Sequence, residues 1–330
     1  MTLVVGTDEA GYGPNLGPLV VAATVWEADP LADDVEAAFA AAAGDLIGLW
    51  GDSKAIFRGA GGLAALERGA VAGVVISTGM SERMPDDLAD AMPDATPDAM
   101  PDAMPDNWQA LLEVVAATIG AEAEWSATAA RLTLPRQAGR DEIAAAVVAA
   151  RGPLAARGLR LRAIRCRIVQ PREFNALLAA GLNKSDILSQ ITLGLAATAV
   201  TGSAGESVVW CDRHGGRRRY APLVAEAFAT PLVQAVVETP ERSVYRLAAP
   251  ACRIEFSVRG ESRLPVALAS MTAKYVRELA MAAFNDWWCG REHALGPTAG
   301  YPVDAARWRR EATAAVEAAG VSWDDVWRRA

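Results

Sequence analysis

An α/β fold with a mixed sheet is predicted for this 330-residue chain by three observations. Short β-branched runs alternate along the chain with longer helix-like runs, the pattern of strands interleaved with helices. The opening run, Val4-Val5-Gly6-Thr7, ends in Asp8-Glu9 and breaks at Gly11-Tyr12-Gly13-Pro14, and a second apolar run follows from Leu19 to Trp26. Between Leu159 and Val169, Leu, Ile and Cys mostly alternate with Arg, the period of a half-buried strand.

In order, the patterning predicts strands over 3–8 and 18–26, helices over 31–42, 61–70 and 107–119, and a short strand near 131–134. A helix over 139–151 precedes the arginine-rich strand, 159–169. A long helix over 184–200 leads to a strand over 207–212, where Ser207-Val208-Val209-Trp210-Cys211-Asp212 echoes the opening, a short apolar run ending in a carboxylate. A helix over 221–228 and a strand over 252–258 follow. Pro265 suits the first turn of a helix over 264–288, and a last helix spans 304–318.

Composition narrows the function. With 52% hydrophobic and 22% charged residues the chain can bury a large core. It has no basic-then-apolar leader and no apolar stretch of membrane-spanning length. The four cysteines lie far apart and only His214 and His293 accompany them, so a zinc site of ordinary spacing is not expected. Reduced thiols in a cytoplasmic protein fit this usage, and a monomer with no membrane association is expected. The net charge of −8 is unevenly placed: residues 81–106 hold eight acids and one base, leaving the rest of the chain near −1. Basic stretches such as Arg213 to Arg219 therefore keep a nucleic-acid partner open, because local patches set phosphate affinity.

Residues 84–106 carry recurring Pro-Asp units that forbid a continuous helix and cannot build a core. They read as a disordered acidic repeat within an insertion of about 78–158. That insertion interrupts a catalytic domain over 1–284, and 285–330 form a helical C-terminal extension.

Paired acids at the end of a buried strand need compensation. Asp8-Glu9 by itself admits two readings: a divalent cation, which prefers carboxylate oxygen, or acids that simply meet water. Two further places look alike, with an acid beside glycine and basic residues: Asp212 before Arg213-His214-Gly215-Gly216-Arg217, and Glu261 in Arg259-Gly260-Glu261-Ser262-Arg263. Behind Glu261, Ser270, Lys274 and Arg277 recur at helical spacing and form one polar stripe. That stripe reads either as a solvated face or as a phosphate-facing one.

Taken together, these blocks resemble the ribonuclease HII family. Asp8-Glu9-Ala10-Gly11-Tyr12-Gly13-Pro14 is similar to its opening motif, and Asp52-Ser53-Lys54 to its next signature. Glu173 to Val200, with Asn183-Lys184-Ser185-Asp186, resembles its middle helix. Gly260-Glu261-Ser262-Arg263-Leu264-Pro265 through Ser270, Lys274 and Arg277 resembles its longest motif, and Gly300-Tyr301-Pro302 its C-terminal one. The resemblance implies a ribonuclease H-like mixed sheet flanked by helices with a helical C-terminal extension. It implies metal-dependent endonucleolytic hydrolysis of the RNA strand of an RNA–DNA hybrid, or at ribonucleotides embedded in duplex DNA. Asp8, Glu9, Asp212 and Glu261 would be the catalytic, metal-binding acids for two magnesium or manganese ions. Gly11, Tyr12 and Gly13 would approach the 2′-hydroxyl; Ser53, Lys54, Ser270 and Lys274 would position phosphates; and Tyr301 would stack on a sugar or base.

Four departures bear on this. Tyr12 stands where arginine is usual, which bears on selectivity for single ribonucleotides. Glu261 stands where aspartate is usual. The insertion between Lys54 and Glu173 is long. Arg213 to Arg219 is unusually basic, so that Arg213 would contact phosphate, and His214 is either a proton-transfer group or an exposed turn residue. A nuclease of the same fold acting on another nucleic acid, and a non-catalytic nucleic-acid-binding protein, are the alternatives.

Overall fold

The computed structural model describes residues 1–29, 34–58, 61–78, 104–120, 123–203 and 205–329. The expected helix start at 31–33 and most of the acidic repeat, 79–103, lie outside the described residues. Eight strands form one mixed sheet: β1 (Thr2–Ala10), β2 (Leu19–Ala28), β3 (Thr118–Ile119), β4 (Leu159–Val169), β5 (Ser207–Asp212), β6 (Val233–Glu238), β7 (Arg242–Ala248) and β8 (Ala251–Ser257). Their order is β3-β4-β2-β1-β5-β8-β7-β6. The helices are α1 (Val35–Asp45), α2 (Ser53–Arg58), α3 (Gly62–Thr78), α4 (Trp108–Val114), α5 (Ser126–Ala129), α6 (Arg140–Ala155), α7 (Pro171–Ala179), α8 (Lys184–Val200), α9 (Ala221–Ala227), α10 (Leu264–Arg291), α11 (Pro302–Ala318) and α12 (Trp323–Val326). This is the expected α/β architecture, a mixed sheet flanked by helices with a helical C-terminal part.

β1 sits in the middle of the sheet, antiparallel to β2 and parallel to β5. Both faces of these strands are covered, which is why Leu19 to Trp26 reads as a continuous apolar run. Val4, Val20, Ala22 and Trp26 pack into one cluster with α3, α6 and α10. Val5, Val209 and Ile254 pack on the opposite face with α8 and α9. Strand alternation places Gly6 and Asp8 on the side of Val4, against α10. Gly6 is required there: a Cβ would lie 2.3 Å from the backbone carbon of Pro265, in the first turn of α10. Thr24 Oγ1 ties the same turn down by donating to the Pro265 carbonyl at 2.8 Å.

In β4 the buried set shifts from Leu159 and Leu161 to Ile164, Cys166 and Ile168. A change of parity demands an extra residue. The register slips at that place, with Val25 opposite Ala163 and Trp26 opposite Leu161.

Two sequence expectations are corrected. The helix over 107–119 ends at Val114, because Ala116 turns left-handed (φ 41°) and 118–119 pair with β4 as a strand. No strand forms near 131–134; Thr133 makes a single bridge to Asn107. α10 runs unbroken through residues 284 and 285 to Arg291. The described part of the insertion is not set apart: Leu111, Val115, Ile143 and Val147 join the cluster that contains α10. Glu67, fully buried, fastens it by accepting the backbone N–H groups of Arg136, Gln137 and Ala138 at 2.7–2.8 Å and the Tyr275 hydroxyl at 2.6 Å.

Candidate active site

The parallel pairing of β1 with β5 brings their carboxyl ends to one edge, the place where open α/β sheets hold ligands. Thr7 pairs with Cys211, so Asp8 and Asp212 are the next residues on neighbouring strands. Glu261 reaches them from a single 3-10 turn, Gly260–Ser262, between β8 and α10. That turn is held to β5 by the Gly260 N–H, which donates to Asp212 Oδ1 at 2.9 Å. A Cβ at Gly260 would lie 2.9 Å from the Asp212 Cα, so only glycine permits the approach.

The electrostatics follow from crowding. Burial, then Asp212, pushes the Asp8 carboxyl up to about 7, against hydrogen bonds from the Ser270 hydroxyl and the Glu9 N–H. Glu9 is raised well above the usual carboxylate range by burial, then by Asp8 and Asp212, with Lys54 opposing. Asp212 is raised by burial and by Glu261, opposed by the Gly260 N–H and by Lys54. An all-oxygen donor set with excess negative charge fits a hard divalent cation. Among the described residues, however, no three His, Cys, Asp or Glu side chains are gathered closely enough to hold an ion by themselves. Magnesium commonly takes only one or two carboxylates and completes its shell with water and phosphate.

Beside the acids lies a cleft of about 290 Å³. Glu9, Gly11, Tyr12, Gly13, Ser53, Lys54, Lys274, Arg277 and Tyr301 line it. Four segments remote in sequence thus meet at one opening. Asp52 caps α2, accepting from the N–H groups of Lys54 (2.8 Å) and Ala55 (3.2 Å), and so orients Ser53 and Lys54. Ser53 Oγ is 3.0 Å from Ser270 Oγ, linking α2 to the residue that bonds Asp8. Lys274 pairs with Glu278 at 2.5 Å and lies over the Phe57 ring. Tyr301 is half exposed, with Arg277 beneath its ring. The Tyr12 ring lies under Lys184 Nζ, 5.3 Å from the ring centre.

The sequence reading differs from the structure at three basic residues. Arg213 points to the β6–β7 turn, donating to the carbonyls of Thr239 and Pro240. Arg277 is not on a solvated face; it is buried at the cleft and donates to the carbonyls of Leu16 (3.3 Å) and Ala299 (3.1 Å). His214 is not an exposed turn residue: it is buried, with Nδ1 2.9 Å from Ser189 Oγ, and burial pulls it down to about 3. Two residues near the cleft escaped the sequence reading: Arg328, whose Arg-Arg setting looks like a solvated terminus, and Asn175, which binds the segment carrying it. Only the tertiary fold brings them to the Gly11 loop.

Solved structures similar to this chain include a ribonuclease H2 from Pyrococcus horikoshii OT3, 14% identical over 98% of this chain and 92% of that one, TM-score 0.41. A PCNA:RNase HII complex from Archaeoglobus fulgidus is 15% identical over 99% and 94%, TM-score 0.39. Bst-RNase HIII in complex with Mn²⁺ is 14% identical over 99% of this chain and 66% of that one, TM-score 0.41. No protein-family model and no curated protein matches the chain.

Proposed function

We propose that this chain is a metal-dependent endonuclease that hydrolyses the RNA strand of RNA–DNA hybrids or cuts at ribonucleotides embedded in duplex DNA. The observation that carries the reading is the meeting of Asp8, Glu9, Asp212 and Glu261 at one sheet edge, beside a cleft that joins a glycine loop, two lysines and an exposed tyrosine. The acids would hold two magnesium or manganese ions, which when bound supply water activation and stabilisation of the leaving oxygen. Ser270 orients the Asp8 carboxylate through its hydroxyl. Lys54 and Lys274 would meet backbone phosphates, and the backbone of Gly11 to Gly13 would approach the 2′-hydroxyl, the group that separates RNA from DNA. Tyr301, half exposed, offers a stacking surface for a sugar or base. Arg213, engaged elsewhere, is left out of this set. The protein would act as a monomer in the cytoplasm; its four cysteines are free thiols, and no helix among the described residues is long and apolar enough to cross a membrane.

The test is cleavage of three labelled duplexes with magnesium or manganese: hybrid, DNA with one ribonucleotide, and all-DNA. Cuts confined to ribonucleotide-containing strands and lost in Asp8→Asn are expected. Cutting of all-DNA would shift the reading to a nuclease for another nucleic acid, and hybrid binding without any cleavage would shift it to a binding protein.

A further inference from the structure

The loop between β1 and β2 does not support itself. Gly11 (φ 90°) and Gly17 (φ 77°) turn it through left-handed backbone, and the carbonyls of Gly11, Pro14 and Leu16 face inward, where they need donors. Two buried guanidinium groups supply them. Arg277 serves Leu16, and Arg328 Nη2 donates to the Gly11 carbonyl at 2.5 Å and to the Pro14 carbonyl.

Arg328 arrives on a segment that is built into the loop. Its N–H donates to the Asn15 carbonyl at 2.8 Å, Asn15 Nδ2 returns a bond to the Arg328 carbonyl at 3.2 Å, and Leu16 bridges Trp327. Asn175 grips the other side, donating to the Trp327 carbonyl at 2.8 Å and accepting from the Arg329 N–H at 2.9 Å. The guanidinium lies on the Phe174 ring, 5.0 Å from its centre.

The charge is what a merely structural clamp does not need. Arg328 is 1% exposed, yet no carboxylate pairs with it among the described residues, and its Nε and Nη1 have no hydrogen-bond partner. Its charged neighbours are Arg277 and Lys184, both of its own sign, and of these Arg277 has the Glu278 carboxylate 3.9 Å away. Burial and Arg277 push it down to about 9. An unpaired buried charge costs several kcal/mol. Two carbonyls could be served by a neutral donor at lower cost. A buried guanidinium without a carboxylate partner, under a loop that fronts a cleft, is suited to an anion on the loop's outer side.

We propose that Arg328 is a positioning residue for substrate: it locks the carbonyls of Gly11 and Pro14 so that the Gly11–Gly13 backbone faces the cleft, and with Lys184 it presents uncompensated positive charge to a phosphodiester bound across that loop. This rests on the proposed nucleic-acid reading of the same cleft.

The experiment measures hybrid binding by full-length wild type, Arg328→Met and Arg328→Lys in EDTA across a salt series, together with unfolding midpoints in the absence of nucleic acid. Arg328→Met is expected to bind roughly tenfold more weakly and to lower the slope of log K against log salt by up to about one. Arg328→Lys is expected to restore the slope and most of the affinity. Arg329→Met, whose guanidinium pairs with Asp324, should bind as wild type does. If both Arg328 variants shift the unfolding midpoint but keep the wild-type salt slope, the residue is only structural and the inference is overturned. If Arg328→Met does not fold, Lys184→Met decides: a reduced slope supports the inference and an unchanged slope overturns it. Failure of the wild type to bind hybrid would overturn this inference together with the proposed function, whereas binding and cleavage that ignore every Arg328 variant would overturn this inference alone.

Discussion

Gly6→Ala should both destabilise the protein and disable the site, for one geometric reason. The added methyl would lie 2.3 Å from the Pro265 carbonyl carbon, 2.5 Å from its oxygen and 2.5 Å from its Cβ. Carbon atoms pack at about 3.5–4.0 Å, so β1 and the start of α10 must separate by about 1 Å. The obstructing atoms are backbone and a proline ring, so no flexible side chain can yield. Overpacking of this kind costs typically 1–3 kcal/mol, and loss of the Thr24–Pro265 hydrogen bond adds about 1 kcal/mol; we expect about 3 kcal/mol in urea unfolding followed by tryptophan fluorescence. The same separation moves Glu261 away from Asp8. A misplacement of about 1 Å can cost on the order of a hundredfold in rate, which hybrid cleavage would read. Gly194→Ala, in open space on α8, is the control and should be neutral or stabilising by up to about 1 kcal/mol. A Gly6→Ala protein with the wild-type urea midpoint would refute the reasoning, whatever its activity.

Three further outcomes are expected. In metal-free protein, Asp8 keeps a proton up to about 7 where the unfolded chain loses it near 3.8. Its contribution is therefore favourable at low pH and is lost as pH rises through that window. The full displacement corresponds to about 4 kcal/mol, and partial water contact reduces this to about 2 kcal/mol. Asp8→Asn in EDTA should then be more stable than wild type by about 2 kcal/mol at pH 8 and nearly equal to it at pH 4; equal stability at both would contradict the crowding. Glu67→Ala strands three backbone donors and the Tyr275 hydroxyl, and should cost about 3–5 kcal/mol in urea unfolding. In thiol labelling, Cys166, Cys211 and Cys252, pushed up to about 12 by burial, should stay unmodified in the native protein while the half-buried Cys289 reacts. Rapid modification of all four without denaturant would refute that.

Much was legible before the fold. β4 (Leu159–Val169), β5 (Ser207–Asp212) and α8 (Lys184–Val200) span the ranges that periodicity predicts, because each has apolar positions recurring at its own period. The hairpin of β6 and β7 was not read from the sequence. β6 is an edge strand with no buried residue, so it carries no inside–outside contrast to detect. The short helix α7 was also missed, although Pro171 occupies its first turn. Of the candidate residues, Asp8, Glu9 and Asp212 announce themselves as acids that close apolar runs. Ser53, Lys54, Lys274 and Tyr301 gather from distant segments at one cleft.

The sequence by itself determined the α/β class, the central strands and the residue types available for chemistry, because local periodicity and composition are properties of neighbouring residues. Only the tertiary structure decided which charges meet. It buried His214 and Arg277, turned Arg213 toward the β6–β7 turn, and placed Arg328 under a loop more than three hundred residues away. Burial and the distance between charges depend on how elements remote in sequence pack, and no window along the chain contains that information.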